Sequence, residues 1–289
     1  MLNFSNVHAT LFDSNKTLVD HGIATGIAIS PLRLRRSAGG TIVQIENHPY
    51  VASVRLNGGH HCGGTILTEN IILTSAHCTD EYVDLLSVKV GSSDINFKGS
   101  WHPVERVLRH DDYEYLDLMG GHQSINDVAL IKLKTSIQLD NSTTRKIKLA
   151  HQGDMVNLND RAKVVGWGDI RERYTNQVLD SHGQVVRSSR IWEVRAPVEL
   201  TEIDVEIASM AQCLEFFPTA NVRGQFCTKS EGRGFCSGDS GGPLIEDGRQ
   251  IGIVSWGSSC HKPSSPRFYT DIGQYRDWID QHVKVLQKS

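Results

Sequence analysis

From residue 41 onward, short apolar segments recur and turn residues separate them. Val51–Leu56, Gly64–Leu67, Ile71–Thr74, Leu86–Val90, Val104–Leu108 and Val128–Leu133 make one set. Ala162–Gly166, Ile191–Val198, Gly224–Thr228, Pro243–Glu246, Ile251–Ser255 and Arg267–Tyr269 make a second. Segments this short, β-branched and bounded by Gly, Asn and Ser, predict the strands of antiparallel barrels. Asp169–Arg190 is polar and carries Gly, Ser and Asn, so it predicts a long loop. Trp278, Ile279, Val283 and Leu286 recur at helical spacing, which predicts an amphipathic helix over Gln274–Leu286. Residues 1–36 show little periodicity and end in Arg33-Leu34-Arg35-Arg36.

Composition narrows the class. Hydrophobic content of 39% and charged content of 22% over 289 residues describe a folded chain long enough for one large or two modest cores. A net charge of −3 gives no electrostatic case for nucleic acid or an anionic membrane. No apolar run approaches the ~20 residues that span a bilayer. The six cysteines permit three bridges without fixing them, and bridges imply an oxidising compartment. The expected location is therefore extracellular. Sequons at Asn3, Asn15 and Asn141 agree with secretion, whereas Met1-Leu2-Asn3-Phe4-Ser5 makes no convincing signal peptide.

The chemistry concentrates in Gly238-Asp239-Ser240-Gly241-Gly242-Pro243. Gly238 leaves room for backbone N–H groups to approach a developing oxyanion. A serine hydroxyl needs a base within reach, and a histidine can accept and return a proton near neutrality. Thr74-Ser75-Ala76-His77-Cys78 supplies that histidine, and Asn126-Asp127 followed by Val128–Ile131 supplies a carboxylate to orient it. His, Asp and Ser thus occur in the order of one known serine-protease arrangement.

With His61-Cys62-Gly63-Gly64, Val165-Gly166-Trp167-Gly168, Ser255-Trp256-Gly257 and Phe268-Tyr269-Thr270, the chain resembles a trypsin/chymotrypsin-type serine endopeptidase over roughly residues 37–289. The resemblance implies an all-β fold of two six-stranded antiparallel barrels, about 37–150 and 151–289, with a C-terminal helix. It implies His77, Asp127 and Ser240 as catalytic residues, and the N–H groups of Gly238 and Ser240 as the oxyanion hole. Disulfides Cys62–Cys78, Cys213–Cys227 and Cys236–Cys260 are implied as well. Ser255, Trp256 and Gly257 would pair with the substrate backbone. Peptide or protein substrates, an activating protease and protein inhibitors are the implied partners. No cofactor is implied, and no metal site either, since Gly91–Ser100 offers a calcium loop only Asp94.

Two departures from the family stand out. At the S1 base, where trypsin has a carboxylate, stands Gly234, beside the apolar Phe235; Arg267 occupies a pocket-facing position that is usually small. Together these argue against cleavage after Lys or Arg and for an acidic, or else an apolar, P1 residue. Residues 1–36 read as a propeptide, with Arg36 as the cleavage point. The new terminus, Ser37-Ala38, stands where relatives carry Ile-Val; its amine would pair with Asp239. The competing reading is a weak or non-catalytic homologue that binds partners or regulates.

Overall fold

The computed structural model describes residues 36–37, 40–118, 121–179, 184–195, 197–229, 236–257 and 265–288. By its internal contacts the chain forms two compact units, Met1–Arg33 with Thr175–Arg190, and Leu34–Tyr174 with Ile191–Ser289. Both barrels and the candidate site belong to the second unit.

The first barrel consists of β1 (Val51–Leu56), β2 (Gly59–Ile66), β3 (Ile71–Thr74), β4 (Leu86–Val90), β5 (Ser100–Arg109) and β6 (Ala129–Leu133). It closes in the order β6-β3-β2-β1-β4-β5. The second contains β7 (Arg161–Gly166), β8 (Thr201–Ala208), β9 (Gln225–Lys229), β10 (Pro243–Glu246), β11 (Arg249–Gly257) and β12 (Arg267–Asp271). Pairing runs β11-β10-β7-β8-β9-β12, and an additional β11–β12 ladder closes the ring. The expected pair of six-stranded antiparallel barrels is what forms.

Strands β3 and β6 explain why some segments are mostly apolar rather than alternating. Ile72, Ile131 and Leu133 turn into the first barrel's core with Val54, Val88 and Val104. Their neighbours Ile71, Leu73, Val128 and Leu130 turn the other way, into a core shared with Val164, Ile203, Ile253 and Tyr269 of the second barrel. Both faces are buried, so the strands read as nearly continuous apolar runs, broken only by the buried Thr74 and Lys132.

The C-terminal helix runs Ile272–Lys288, slightly longer than predicted. Asp271 Oδ1 accepts from Gly273 N at 2.9 Å, which satisfies a free first-turn donor and starts the helix at Ile272. Ile272, Tyr275, Ile279 and Leu286 are buried on the shared core.

Two expectations fail. Asp169–Arg190 is not a loop: Ile170–Leu179 and Val185–Arg195 are strands, and Arg36–Ser37 adds to the first as Arg36↔Arg173 and Ser37↔Glu172. Apolar–polar alternation reports only strands with one buried face; the usable signal here was β-propensity in Tyr174-Thr175, Val185-Val186 and Ile191-Trp192. For the same reason Ile191–Val198 is not a barrel strand. That place is taken by Thr201–Ala208, whose burial does alternate and whose pattern T-E-I-D-V-E-I-A was legible.

Candidate active site

The β3–β6 register builds the first half of the site. Ala129 pairs with Thr74, so Asp127, two residues before Ala129, comes beside the residues just past Thr74. There His77 N donates to Asp127 Oδ1 at 3.0 Å, and His77 Nδ1–H donates to Asp127 Oδ2 at 2.8 Å. The Ser255 hydroxyl donates to Oδ2 as well, at 2.6 Å. Three donors therefore hold one carboxylate that has no solvent exposure, while the His77 side chain stays 22% exposed. Thr270 Oγ1 donates to the Asp127 carbonyl at 2.9 Å, and Tyr275 OH to Asn126 Oδ1 at 2.7 Å. Burial works against both charges, but they outweigh it for each other. The Asp127 carboxylate raises the His77 pKa, and His77 and Ser255 lower that of Asp127.

The second half comes from the turn before β10. Gly241 N donates to Val254 O at 2.8 Å, and Val254 N to Gly242 O at 2.9 Å, so the turn continues the β10–β11 ladder next to Ser255. Gly63 N donates to Ser240 O at 2.7 Å, and Thr74 Oγ1 donates to Gly63 O at 2.8 Å. Ser240 is thus tied through Gly63 to the strand end that carries His77. A Cβ on Gly241 would overlap Thr74 Oγ1, and Gly241 has φ +76°, so only glycine fits. Among the described residues Ser240 Oγ forms no hydrogen bond with His77.

Asp239 points inward beneath β7. Its Oδ1 accepts from Gly168 N at 2.8 Å and its Oδ2 from Cys236 N at 2.9 Å. A Cβ on Gly168 would overlap this carboxylate, which accounts for the glycine. Burial pushes the Asp239 carboxyl up to about 6, against the pull of those two N–H groups. Arg36–Ser37 is an intact strand in this form, away from the role expected of a free Ser37 amine.

His60, which the sequence did not single out, braces the turn at Gly238. Its Nε2–H donates to Gly238 O at 3.0 Å, and its Nδ1 accepts from Ser53 Oγ at 2.8 Å. Burial lowers the His60 pKa to about 4, so the ring is neutral and its tautomer is set by those partners. Its only signal was adjacency to His61-Cys62. Gly238 itself has φ +96°.

Disulfides Cys62–Cys78 and Cys213–Cys227 are formed, and the first anchors the residue after His77. Cys236 is disulfide-bonded too. Its expected partner Cys260, and Gly234 and Phe235 of the expected S1 wall, lie outside the described residues. Arg267 is 2% exposed, so it does not reach solvent. Its side chain lies along Gly257, and Nη1 donates to Ser265 O at 3.5 Å. Trp256 is buried, stacked on Phe268 with ring centroids 3.9 Å apart. Among the described residues, three potential metal donors converge only at Cys62, His77 and Cys78, and both sulfurs are consumed by their disulfide. In the Gly91–Ser100 segment a buried ammonium stands at the centre: Lys89 Nζ donates to Asp94 O at 2.7 Å and Phe97 O at 2.9 Å.

The sequence model of the trypsin family matches residues 37–279. The chain belongs to the trypsin family of serine endopeptidases. Hypodermin-B of Hypoderma lineatum is 33% identical over 253 residues, covering 86% of this chain and 88% of that protein. A trypsin of Phaedon cochleariae is 32% identical over 257 residues, covering 86% and 88%. Among solved structures, neuropsin, a serine protease expressed in the limbic system of mouse brain, superposes with a TM-score of 0.68 at 27% identity. That match covers 84% of this trypsin-family chain and 98% of neuropsin. Among the described residues no helix is long and apolar enough to cross a membrane.

Proposed function

We propose that this chain is the precursor of a secreted serine endopeptidase that cleaves peptide bonds through an acyl-enzyme, after acidic residues. The observation that carries the catalytic reading is the Asp127 carboxylate, which holds His77 with Nδ1 protonated and Nε2 available as a base. Ser240 Oγ attacks the substrate carbonyl as His77 takes its proton. The N–H groups of Gly238 and Ser240 stabilise the oxyanion, typically the largest single contribution to such a reaction. His77 returns the proton to the leaving amine, and water then hydrolyses the ester by the same path in reverse.

Cleavage after Arg36 would free the Ser37 amine, and the buried Asp239 carboxyl is its natural partner: a cation there would offset the desolvation that now pushes that group up. Disulfides support an oxidising, extracellular setting. A buried guanidinium beside Gly257 would repel a basic P1 side chain by about 4 kcal/mol at ~4 Å and an effective dielectric of about 20. An acidic P1 would instead gain a charge-assisted hydrogen bond. The second reading, a weak or non-catalytic binding homologue, has Ser37-Ala38 in its favour, because this terminus lacks the apolar side chain of Ile.

The test is a set of chromogenic peptides differing only at P1, run on protein cleaved after Arg36 and on Arg267→Gly. Cleavage after Asp or Glu that disappears in Arg267→Gly supports the reading. Efficient cleavage after Lys refutes the specificity. Failure of a serine-directed phosphonylating reagent to label Ser240 refutes the activity.

A further inference from the structure

A cavity of about 460 Å³ lies on the second barrel and is unconnected with the chemistry above, but another, of about 420 Å³, opens beside the oxyanion turn. Gly238, His61, Trp167, Asp169, Ile95 and Val198 line it. None of its described lining comes from Ser255–Gly257 or Arg267, so it is separate from the pocket expected to take P1. In the reading above the acyl half of the peptide is taken by Gly257 and Arg267. The leaving half needs a different surface next to the oxyanion turn, and this cavity, lined by Gly238 but by none of the residues expected at P1, offers one.

Asp169 is fixed there by its backbone: its N–H donates to Ser237 O at 2.8 Å, next to Gly238. Its half-buried carboxylate has no hydrogen bond or ion pair among the described residues, and burial raises its pKa. His61 does not supply a counter-charge, because burial and the neighbouring His77 lower its pKa and leave it neutral. Trp167 and Ile95, both buried, and the exposed Val198 give the cavity apolar walls. A cavity with apolar walls and an unpaired carboxylate in its lining suits a long methylene stem with a cationic head.

We infer that this cavity is a leaving-group subsite in which Asp169 selects a lysine or arginine side chain in the first two residues after the scissile bond. The inference rests on the endopeptidase reading and deepens it: the substrate would carry an acid before the cleaved bond and a base shortly after it. The opposite charges on the two sides of the bond would match Arg267 beside Gly257 and Asp169 in this separate cavity.

The experiment uses peptides with one fixed acidic P1 residue and Lys, norleucine or Glu at each of the next two positions. Norleucine keeps the stem and removes the charge. The wild-type enzyme, cleaved after Arg36, is expected to favour Lys over norleucine at one of these positions by about tenfold in kcat/KM. In Asp169→Asn the Lys/norleucine ratio should fall to about one, and in Asp169→Lys the preference should move to Glu. No Lys preference in the wild type, or a preference that survives Asp169→Asn, overturns the proposal. Because P1 is constant, an error in the acidic-P1 reading slows the whole series without changing the ratio. If no peptide is turned over, the same series is measured by fluorescence anisotropy on cleaved Ser240→Ala and its Asp169→Asn double variant. A Lys preference lost with Asp169 then upholds the subsite while the activity reading falls; equal binding of Lys and norleucine overturns the subsite.

Discussion

The buried Asp239 carboxyl makes the stability of the uncleaved chain depend on pH in an unusual direction. Burial raises its pKa from 3.8 to about 6, and the two N–H donors it accepts only partly oppose this. Between those values the folded chain keeps a proton that the unfolded chain has lost. Stability must therefore fall as pH rises from about 4 to about 6, then level off. A shift of this size corresponds to about 3 kcal/mol. Asp271, also raised to about 6 by burial, slopes the same way, so a difference measurement is needed. The perturbation is Asp239→Asn in a Ser240→Ala background, which prevents self-cleavage. The assay is urea denaturation at pH 4, 5, 6 and 7. Asn loses one acceptor for the Gly168 or Cys236 N–H, which shifts its whole curve down by about 1–3 kcal/mol. The diagnostic is the slope: wild type minus Asp239→Asn should decline by about 2 kcal/mol across pH 4 to 6. After cleavage at Arg36 the Ser37 ammonium should pair with the ionised carboxylate, and this decline should vanish or reverse. An uncleaved Asp239→Asn variant with the same pH slope as the wild type would refute the reasoning.

Other outcomes follow from the same geometry. Ser255→Ala removes the hydroxyl that donates to Asp127 Oδ2 at 2.6 Å; denaturation should show a loss of about 1.5–3 kcal/mol, with the His77 bonds still formed. Ser37→Ile with Ala38→Val adds back a buried side chain worth about 1.5–3 kcal/mol, so kcat/KM after cleavage should rise by about 10–100-fold; an unchanged value would show that the wild-type terminus already orders the site. The pKa of His77 is raised from 6.5, because the charge and hydrogen bond of Asp127 outweigh burial. The acid limb of the kcat/KM profile should therefore have its midpoint above 6.5, and Asp127→Asn should move that midpoint down.

Much of the candidate site was legible because its parts are local motifs. The turn Gly238–Pro243, His77 beside Cys78 and Asp127 before an apolar strand each announce themselves within a few residues. The supports were not legible. His60 adjoins His61-Cys62 and Asp169 adjoins Trp167-Gly168, but their partners Gly238 and Ser237 are 178 and 68 residues away in the chain, and no local pattern announces those contacts. Ser255 was expected to serve the substrate through its backbone, and its hydroxyl turns out to reach Asp127 across 128 residues.

The sequence by itself determined the barrel strands with a buried face, the amphipathic helix, and which residues could carry acyl transfer. Those features depend on local periodicity and turn chemistry, which short stretches of chain specify. Tertiary structure alone decided that Asp169–Arg190 contains strands and that Arg267 is buried rather than extended to solvent. It also decided that Asp239 is buried beneath Gly168, held by two N–H groups and by no counter-charge among the described residues. Each of these depends on long-range pairing or on desolvation by residues distant in sequence. The balance of burial against partner is a property of the packed environment, and no local pattern encodes it.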